Sequence, residues 1–370
     1  MTDLSRPLRI HQPRRVEFGT GTAAEVGSWA KAEGFQRILV LTQRSMAGRV
    51  QSLALPGQVT VFDGVKPEPD SDNLALAVAA AREATPDLVI GFGGGSVMDL
   101  AKLVTVLRGD QVLADIVGPN KVTGRQNALV LVPTTAGTGS EAGIRALVTD
   151  TSTGMKVAVE SPHLLADMVA MDPALTMSLP PAVTAATGID AMAHCVEAFT
   201  SRKSHPLIDN YALMGIELVA RYLPRAVTDG SDAEARAGLL LAAYYGGICL
   251  GPVNTAAGHA LAYPLGTRLK LPHGLANAII FPHVLAFNAA AVPEKTAKVA
   301  GLLGLTGDLL RAAGGWCGRL GVKMRLSENG ATDGQLAGWA TEAHGIRRLM
   351  DNNPRDMSVS DVEAIYRAAF

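Results

Sequence analysis

The sequence has little cysteine, almost no net charge and no apolar stretch at its start. The three cysteines among 370 residues are too few for a disulfide framework, and their spacing is not that of a zinc knuckle. The formal charge of -1 argues against a nucleic-acid surface or a polybasic membrane patch. Residues 1–15 lack the apolar core of a secretory signal. We therefore expect a cytoplasmic protein that binds neither nucleic acid nor membrane.

A second absence concerns residues 237–267, which contain no Asp, Glu, Lys or Arg. A run of this length could span a bilayer. However, it includes Pro252, Asn254, Pro264 and several glycines, which no single membrane helix would carry. The favoured interpretation is two buried segments broken near "GPVN" (251–254), and a membrane span is the weaker alternative.

The first half of the chain alternates between two kinds of segment. Short apolar runs predict strands, and Ala/Leu-rich stretches between them predict helices, which together indicate a mostly parallel sheet with helices on both faces. The strand-like runs lie at 37–42, 58–63, 87–96 and 128–135, and the clearest helical patterns lie at 72–84 and 96–107. Beyond 167–181 only helical patterns continue. The sequence thus predicts an α/β domain (1–178) and an all-helical domain (179–370).

Two glycine-containing loops follow predicted strands. "GFGGGSVMDLAK" (91–102) opens a helix, and free amides at a helix start favour an anion such as a pyrophosphate. It is neither the G-x-G-x-x-G fingerprint nor a P-loop, so a tight turn is the alternative. "VPTTAGTGSEA" (132–142) offers hydroxyls that suit ribose, nicotinamide or phosphate, and plain turn chemistry is again the alternative.

A polar stripe interrupts the apolar segment "GIDAMAHCVEAF" (188–199). We predict a helix with Ser178 as its N-cap, on which four polar residues fall at three- and four-residue spacings. They are Thr187, Asp190, His194 and Glu197. Buried polar groups must be satisfied, and an Asp/His pair one turn apart can do so by holding a metal ion. The alternative is a simple Asp–His hydrogen bond.

Two further histidines favour a metal site over a simple Asp–His hydrogen bond. His259 and His273 each lie beside a glycine in an almost uncharged segment. One aspartate and three histidines would make a site of N and O ligands that suits Fe²⁺ or Zn²⁺.

Together these motifs resemble the iron-containing (group III) alcohol dehydrogenase family. The segments that carry the resemblance occur in the family's order over essentially the whole chain: "GGGSVMDLAK", "VPTTAGTGSE", "DPALTMSLP", "GIDAMAHCVEAF", "GHALAYPLG", "PHGLANAIIFPHVLAFN" and "NPRDMSV". The resemblance implies an α/β N-terminal dinucleotide-binding domain plus an all-α C-terminal metal-binding domain (the dehydroquinate synthase-like fold). It also implies a homodimer or larger assembly, and hydride transfer between NAD or NADP and a small alcohol, aldehyde or hydroxy/oxo acid.

The resemblance also implies roles for particular residues. Asp190, His194, His259 and His273 match the metal ligands. The positions that match the cofactor loops are Gly94, Gly95, Ser96 and Asp99 in the first, and Thr134, Thr135, Thr138 and Ser140 in the second. Lys156 matches a lysine near the cofactor ribose.

Three positions depart from the family pattern. Tyr263 stands where relatives carry a histidine thought to help shuttle the proton, and we expect it to form a hydrogen bond on the substrate side. Gln43, followed by Arg44, replaces an aspartate that would exclude a 2′-phosphate, so NAD and NADP both remain open with NAD favoured. Arg145 lies where relatives show a substrate-facing residue. It would suit an anionic substrate, and pairing with a domain-interface acid is the alternative.

Three other functions compete with this interpretation. A maleylacetate reductase-like enzyme is the nearest, but such relatives often lack the metal ligands that this chain keeps. A glycerol dehydrogenase or dehydroquinate synthase-like role fits the paired loops less well. A non-catalytic binding protein would be expected to have lost a ligand or a loop, and neither is lost here.

Overall fold

The computed structural model describes residues 5–107 and 109–370, so the first four residues of the opening segment lie outside it. The chain divides into two compact units. Among the described residues, the α/β unit comprises 11–135 and 139–177, and the helical unit comprises 178–370 together with 136–138 and 5–10. No helix in the described ranges is long and apolar enough to cross a membrane.

The α/β unit is built on a six-stranded parallel sheet with strand order β1-β9-β6-β4-β2-β3. Its strands are β1 (Arg15–Phe18), β2 (Arg37–Thr42), β3 (Gln58–Phe62), β4 (Leu88–Gly93), β6 (Ala128–Pro133) and β9 (Met168–Met171). The inner strands β2, β4 and β6 are almost wholly buried, which explains their unbroken apolar sequences. The predicted fold class is confirmed.

Five α-helices lie in the described residues of this unit. They are α1 (Glu25–Glu33), α2 (Arg44–Ala47), α3 (Ser71–Ala84), α4 (Gly95–Val106) and α5 (Leu113–Ile116). Helix α4 packs very closely on β4, because a Cβ atom on Gly91 would come within 2.9 Å of the Ala101 Cβ and one on Gly93 within 2.5 Å of a Val97 methyl group. These glycines are therefore needed for helix–strand packing as well as for the loop.

A second, three-stranded sheet was not predicted. It has the order β5-β8-β7 and is formed by β5 (Gly118–Pro119), β7 (Arg145–Asp150) and β8 (Met155–Glu160). Strands β7 and β8 form an antiparallel hairpin in which Arg145 is opposite Glu160.

In the described residues the helical unit contains ten α-helices. They are α6 (Pro181–Thr200), α7 (Pro206–Thr228), α8 (Ala233–Leu250), α9 (Ala257–Leu269), α10 (His273–Asn288), α11 (Pro293–Leu302), α12 (Leu309–Arg319), α13 (Leu336–His344), α14 (Arg347–Met350) and α15 (Val359–Ala369). The uncharged stretch 237–267 is broken between α8 and α9, as predicted, and both helices are largely buried.

The predicted cap of α6 was wrong. The helix begins at Pro181, its N-cap is Pro180 rather than Ser178, and no side chain caps it. Proline at the first helical position has no N–H to satisfy, and the Pro180 carbonyl already accepts the Thr184 N–H at 2.9 Å. From Thr184 to Thr200 most of the helix is buried, so its polar stripe lies inside the unit.

Candidate active site

Three histidines of the helical unit converge on one carboxylate oxygen. Oδ1 of Asp190 lies 3.9 Å from Nε2 of His194, 3.5 Å from Nε2 of His259 and 3.7 Å from Nε2 of His273. Helix α6 supplies Asp190 and His194 one turn apart, while α9 supplies His259 and α10 begins at His273. The structure thus brings together all four residues of the predicted metal site.

The cluster is almost closed to solvent. Asp190, His194 and His259 are buried, and only His273 keeps 19% of its side chain exposed. Glycine makes this close approach possible, since a Cβ on Gly274 would come within 2.4 Å of the Ala186 carbonyl oxygen on α6. Because only His273 is partly exposed, it forms the solvent-facing edge of the cluster.

The electrostatics of the cluster favour positive charge. Burial alone would raise the pKa of Asp190, but the three imidazoles bring it well below its usual range. Burial lowers the pKa of His194 to about 4, which keeps that imidazole neutral. Burial would also lower the pKa of His259, but the carboxylates of Glu197 and Asp190 raise it to about 10. A cation is thus stabilised between two carboxylates, whether a proton or a metal ion.

Glu197 contacts both the backbone and the imidazole ring of His259. Its carboxylate accepts the backbone N–H groups of Ala256 and His259, the latter at 3.0 Å, and its Oε2 lies 3.2 Å from Nδ1 of His259. A Cβ on Gly258 would come within 2.0 Å of Oε1 of Glu197, so only glycine leaves room for this carboxylate. The sequence places Glu197 on the polar stripe but does not reveal its partners.

Asn277 is a residue of the cluster that the sequence analysis did not identify. Its side-chain amide donates to Oδ1 of Asp190 at 2.6 Å, and the same nitrogen lies 3.2 Å from Nε2 of His273. It stands one turn after His273 on α10 and is buried. That one-turn spacing is the only sequence signal that could have indicated it.

The donor set fits a transition-metal ion. It offers one carboxylate oxygen and three imidazole nitrogens, the ligand types that suit Fe²⁺ or Zn²⁺. Nε2 of His259, like its Nδ1, is buried and meets no hydrogen-bond geometry within the described residues. Such a nitrogen is costly to bury unless it is coordinated or hydrogen-bonded. Three of the residues, Asp190, His259 and His273, place one ligand atom each within 4.8 Å of one another.

The first predicted cofactor loop lies where β4 ends and α4 begins. Gly94 is the N-cap of α4, with Gly95 and Ser96 in its first turn. No side chain caps the helix there, so the amides at its start can face an anion. The Ser96 hydroxyl accepts the Glu68 N–H at 3.2 Å. This geometry suits a phosphate group.

Asp99 faces a different set of partners. Its carboxylate accepts the Ser140 hydroxyl at 2.6 Å and the Leu147 N–H at 2.9 Å. The buried Lys102 ammonium donates to the Ser140 carbonyl and hydroxyl and to the Arg145 carbonyl, and burial lowers the pKa of Lys102 to about 8. These bonds tie the two predicted loops together, so Asp99 and Ser140 have structural partners inside the α/β unit.

The other predicted cofactor residues are distributed over both units. Thr134 is buried at the end of β6, where its N–H donates to the Gly93 carbonyl at 3.0 Å, and Thr135 approaches Gly94. Thr138 groups with the helical unit. The Lys156 ammonium forms an ion pair with Glu68.

Gln43 lies at the end of β2, where it pairs with Gly64 in an isolated bridge. The next residue, Arg44, is highly exposed, and its Nε lies 3.7 Å from a carboxylate oxygen of Asp63 at the end of β3. The family's aspartate is absent after β2. Asp63, directly after the neighbouring strand β3, places a carboxylate close to that position.

The two predicted substrate residues have identified partners. Nε and Nη2 of Arg145 both donate to Oε2 of Glu160, at 3.0 and 2.6 Å. Arg145 thus pairs with an acid, as in the alternative, and this acid lies opposite it in the same β7–β8 hairpin. The hydroxyl of Tyr263 accepts from Nη2 of Arg348 at 3.1 Å, and the Tyr263 ring centre lies 6.0 Å from that of His273. Tyr263 is thus at the outer edge of the histidine cluster.

Two family models cover nearly the whole chain. Residues 13–173 match the model described as iron-containing alcohol dehydrogenase, and residues 184–370 match that of the Fe-containing alcohol dehydrogenase family, C-terminal. The chain belongs to the iron-containing alcohol dehydrogenase family. It is an oxidoreductase that acts on CH–OH groups, and the predicted family and enzyme class are confirmed.

Individual members of the family are similar along their full length. The chain is 35% identical to long-chain-alcohol dehydrogenase 1 of Geobacillus thermodenitrificans (strain NG80-2), over 98% of this chain and 96% of that one. A crystal structure of 1,3-propanediol oxidoreductase superposes with a TM-score of 0.93 at 32% identity, covering 99% of this chain and 100% of the other. Sulfoacetaldehyde reductase from Bifidobacterium kashiwanohense, solved in complex with NAD+, gives a TM-score of 0.91 at 28% identity, with 99% of each chain covered.

Proposed function

We propose that this iron-containing alcohol dehydrogenase transfers hydride between nicotinamide C4 and a small alcohol, aldehyde or hydroxy/oxo acid, at a metal held by Asp190, His194, His259 and His273. The observation that carries the proposal is the convergence of three imidazole Nε2 atoms within 4 Å of one Asp190 oxygen in a buried cluster. A divalent ion held there would supply Lewis acidity to the carbonyl or hydroxyl group of a substrate.

The chain's own residues prepare that site. Asn277 donates to Asp190 and so fixes which oxygen faces the histidines. Glu197 orients the imidazole of His259. Burial of the cluster excludes bulk water, which strengthens every charge interaction inside it. Fe²⁺ and Zn²⁺ both suit these ligands, and the family favours iron.

For the cofactor, we propose that Gly94, Gly95 and Ser96 bind the pyrophosphate at the start of α4 and that Thr134, Thr135 and Thr138 contribute from the second loop. Asp99 and Ser140 support these loops from within, because their side chains are hydrogen-bonded to each other. Lys156 binds near the ribose, and its ammonium group is paired with the carboxylate of Glu68.

NAD is the proposed dinucleotide. The Asp63 carboxylate lies beside Gln43 and Arg44 at the end of β2, and a carboxylate there disfavours the 2′-phosphate of NADP. The NAD+ complex of the sulfoacetaldehyde reductase relative supports the same choice.

Location and assembly are further parts of the proposal. The scarcity of cysteine supports a cytoplasmic enzyme. Strand β1 is an edge of the main sheet and exposes Val16 and Phe18, at 38% and 42%, which supports pairing with a second copy of the chain. A homodimer would cover this edge.

Cofactor oxidation at 340 nm tests the proposal. NADH and NADPH are supplied with a panel of neutral aldehydes and oxo acids, before and after chelation and after metal is restored. We expect turnover that is lost on chelation and regained with Fe²⁺ or Zn²⁺. Full activity in metal-free protein on an oxo acid would instead favour a maleylacetate reductase-like function.

A further inference from the structure

The cationic side chain of Arg348 lies near the exposed edge of the histidine cluster. His273 is the most exposed of the four proposed ligands, and the Tyr263 ring lies beside it with 6.0 Å between ring centres. The Tyr263 hydroxyl in turn accepts a hydrogen bond of 3.1 Å from Arg348, which comes from α14, 85 residues further along the chain. His273, Tyr263 and Arg348 are therefore successive neighbours, all within the helical unit, and Arg348 is exposed.

The charge of Arg348 is not balanced by an acid of its own. Its guanidinium carbon lies 5.6 Å from the Tyr263 ring centre, and within the described residues no carboxylate comes within salt-bridge distance of it. Nearby arginines behave differently. Arg347 forms an ion pair with Asp351, and Arg268 forms one with Glu342 at 3.0 Å. A cation held against a tyrosine hydroxyl, and not against an acid, keeps donor capacity for another anion.

The charge balance of the proposed metal site indicates a role for the Arg348 cation. The carboxylates of Asp190 and Glu197 already match the formal charge of a divalent ion. A substrate with its own carboxylate or sulfonate would add a negative charge that nothing in the cluster balances, and uncompensated charge in a partly buried site is costly. The guanidinium of Arg348, bonded to Tyr263 beside the most exposed of the four residues, is positioned to supply a balancing charge.

We propose that Arg348, aided by the hydroxyl of Tyr263, binds the anionic end of the substrate, so that the preferred substrates are ω-oxo acids and the corresponding hydroxy acids rather than neutral aldehydes. The inference rests on the proposed function, because it names the substrate class of that same site. It also moves the anion-binding role away from Arg145, which is paired with Glu160. The planar guanidinium fits a carboxylate or sulfonate through two parallel hydrogen bonds.

The test compares substrates that differ only in charge. Initial rates with NADH and metal-loaded enzyme are measured for 4-oxobutanoate against butanal and for 6-oxohexanoate against hexanal. The readout is the ratio of kcat/KM for the acid to that for the matched aldehyde. We expect the wild-type ratio to exceed one for at least one chain length. In Arg348→Leu that ratio should fall about tenfold or more, mainly through KM of the acid, as expected for loss of a charged hydrogen bond.

Two further variants control the result. Arg347→Leu removes the neighbouring arginine whose charge Asp351 already balances, and it should leave the ratio within twofold of wild type. Arg348→Lys keeps the charge but loses the planar fork, so its ratio should lie between wild type and Arg348→Leu. Metal content and the melting temperature of each variant show whether the fold is intact.

The outcomes separate this inference from the proposed function. Turnover of aldehydes with a wild-type ratio below one at both chain lengths, or a ratio that Arg348→Leu leaves unchanged, would overturn the role of Arg348 while the dehydrogenase function stands. No turnover of any acid or aldehyde with either cofactor would overturn both.

Discussion

The carboxylate of Glu197 contacts His259 twice, through the backbone N–H at 3.0 Å and through Nδ1 at 3.2 Å. A carboxylate this close to Nδ1 favours a proton on that nitrogen, which leaves the Nε2 lone pair for the cluster. It also increases the basicity of the ring, which strengthens a bond from Nε2 to a metal. Glu197 is therefore a positioning residue for the metal site.

Replacing Glu197 with Gln should weaken metal binding. An amide keeps the size of the side chain but loses its charge, and it offers only one acceptor for the Ala256 and His259 N–H groups. We expect metal affinity to fall by about 10- to 100-fold. Competition with a chromophoric chelator measures this directly. Glu342→Gln, which removes a surface carboxylate of the same unit, is the control, and equal affinity in the two variants would remove Glu197 from the site.

Gly258→Ala should have a similar effect for a steric reason. The new methyl group would lie 2.0 Å from Oε1 of Glu197, so the carboxylate must move away from His259. We expect reduced metal content and a lower melting temperature. Gly266→Ala on the same helix is the matched control, because its methyl group would meet nothing closer than 3.7 Å. Retention of full metal content by Gly258→Ala would show that the Glu197 contact is dispensable.

Asp63→Asn should shift the cofactor preference towards NADPH. The change removes the carboxylate that lies 3.7 Å from Arg44 and leaves the guanidinium available to a 2′-phosphate. We expect the ratio of kcat/KM for NADPH to that for NADH to rise about tenfold, the size of one charge-assisted hydrogen bond. Glu33→Gln changes the same net charge at the opposite end of the sheet, where α1 leads into β2, and should not alter the ratio. An unchanged ratio in Asp63→Asn would exclude Asp63 from cofactor selection.

The fold and the core of the site were predictable because they depend on local patterns. The continuous apolar runs of β2, β4 and β6 arise from burial on both faces, a property that the sequence displays directly. Asp190 and His194 are one turn apart on a buried helix, so their spacing alone indicates that they share a face. Strands β7 and β8 were missed because half-buried positions give them a mixed apolar and polar pattern.

The remaining contacts depend on pairings between distant segments. Glu197 meets His259 across 62 residues, and Arg348 meets Tyr263 across 85. No periodicity within one helix encodes such a pair, because each partner looks like an ordinary polar residue in its own segment. The bonds of Asp99 to Ser140 and Leu147 have the same character, since loop and hairpin must first fold against α4.

The most direct test of the metal centre is elemental analysis of purified wild-type enzyme beside His259→Ala, with circular dichroism to monitor the fold. We predict close to one Fe or Zn per wild-type chain and almost none in the variant, with an unchanged helical spectrum. A His259→Ala protein that keeps a full complement of metal would contradict the four-ligand site.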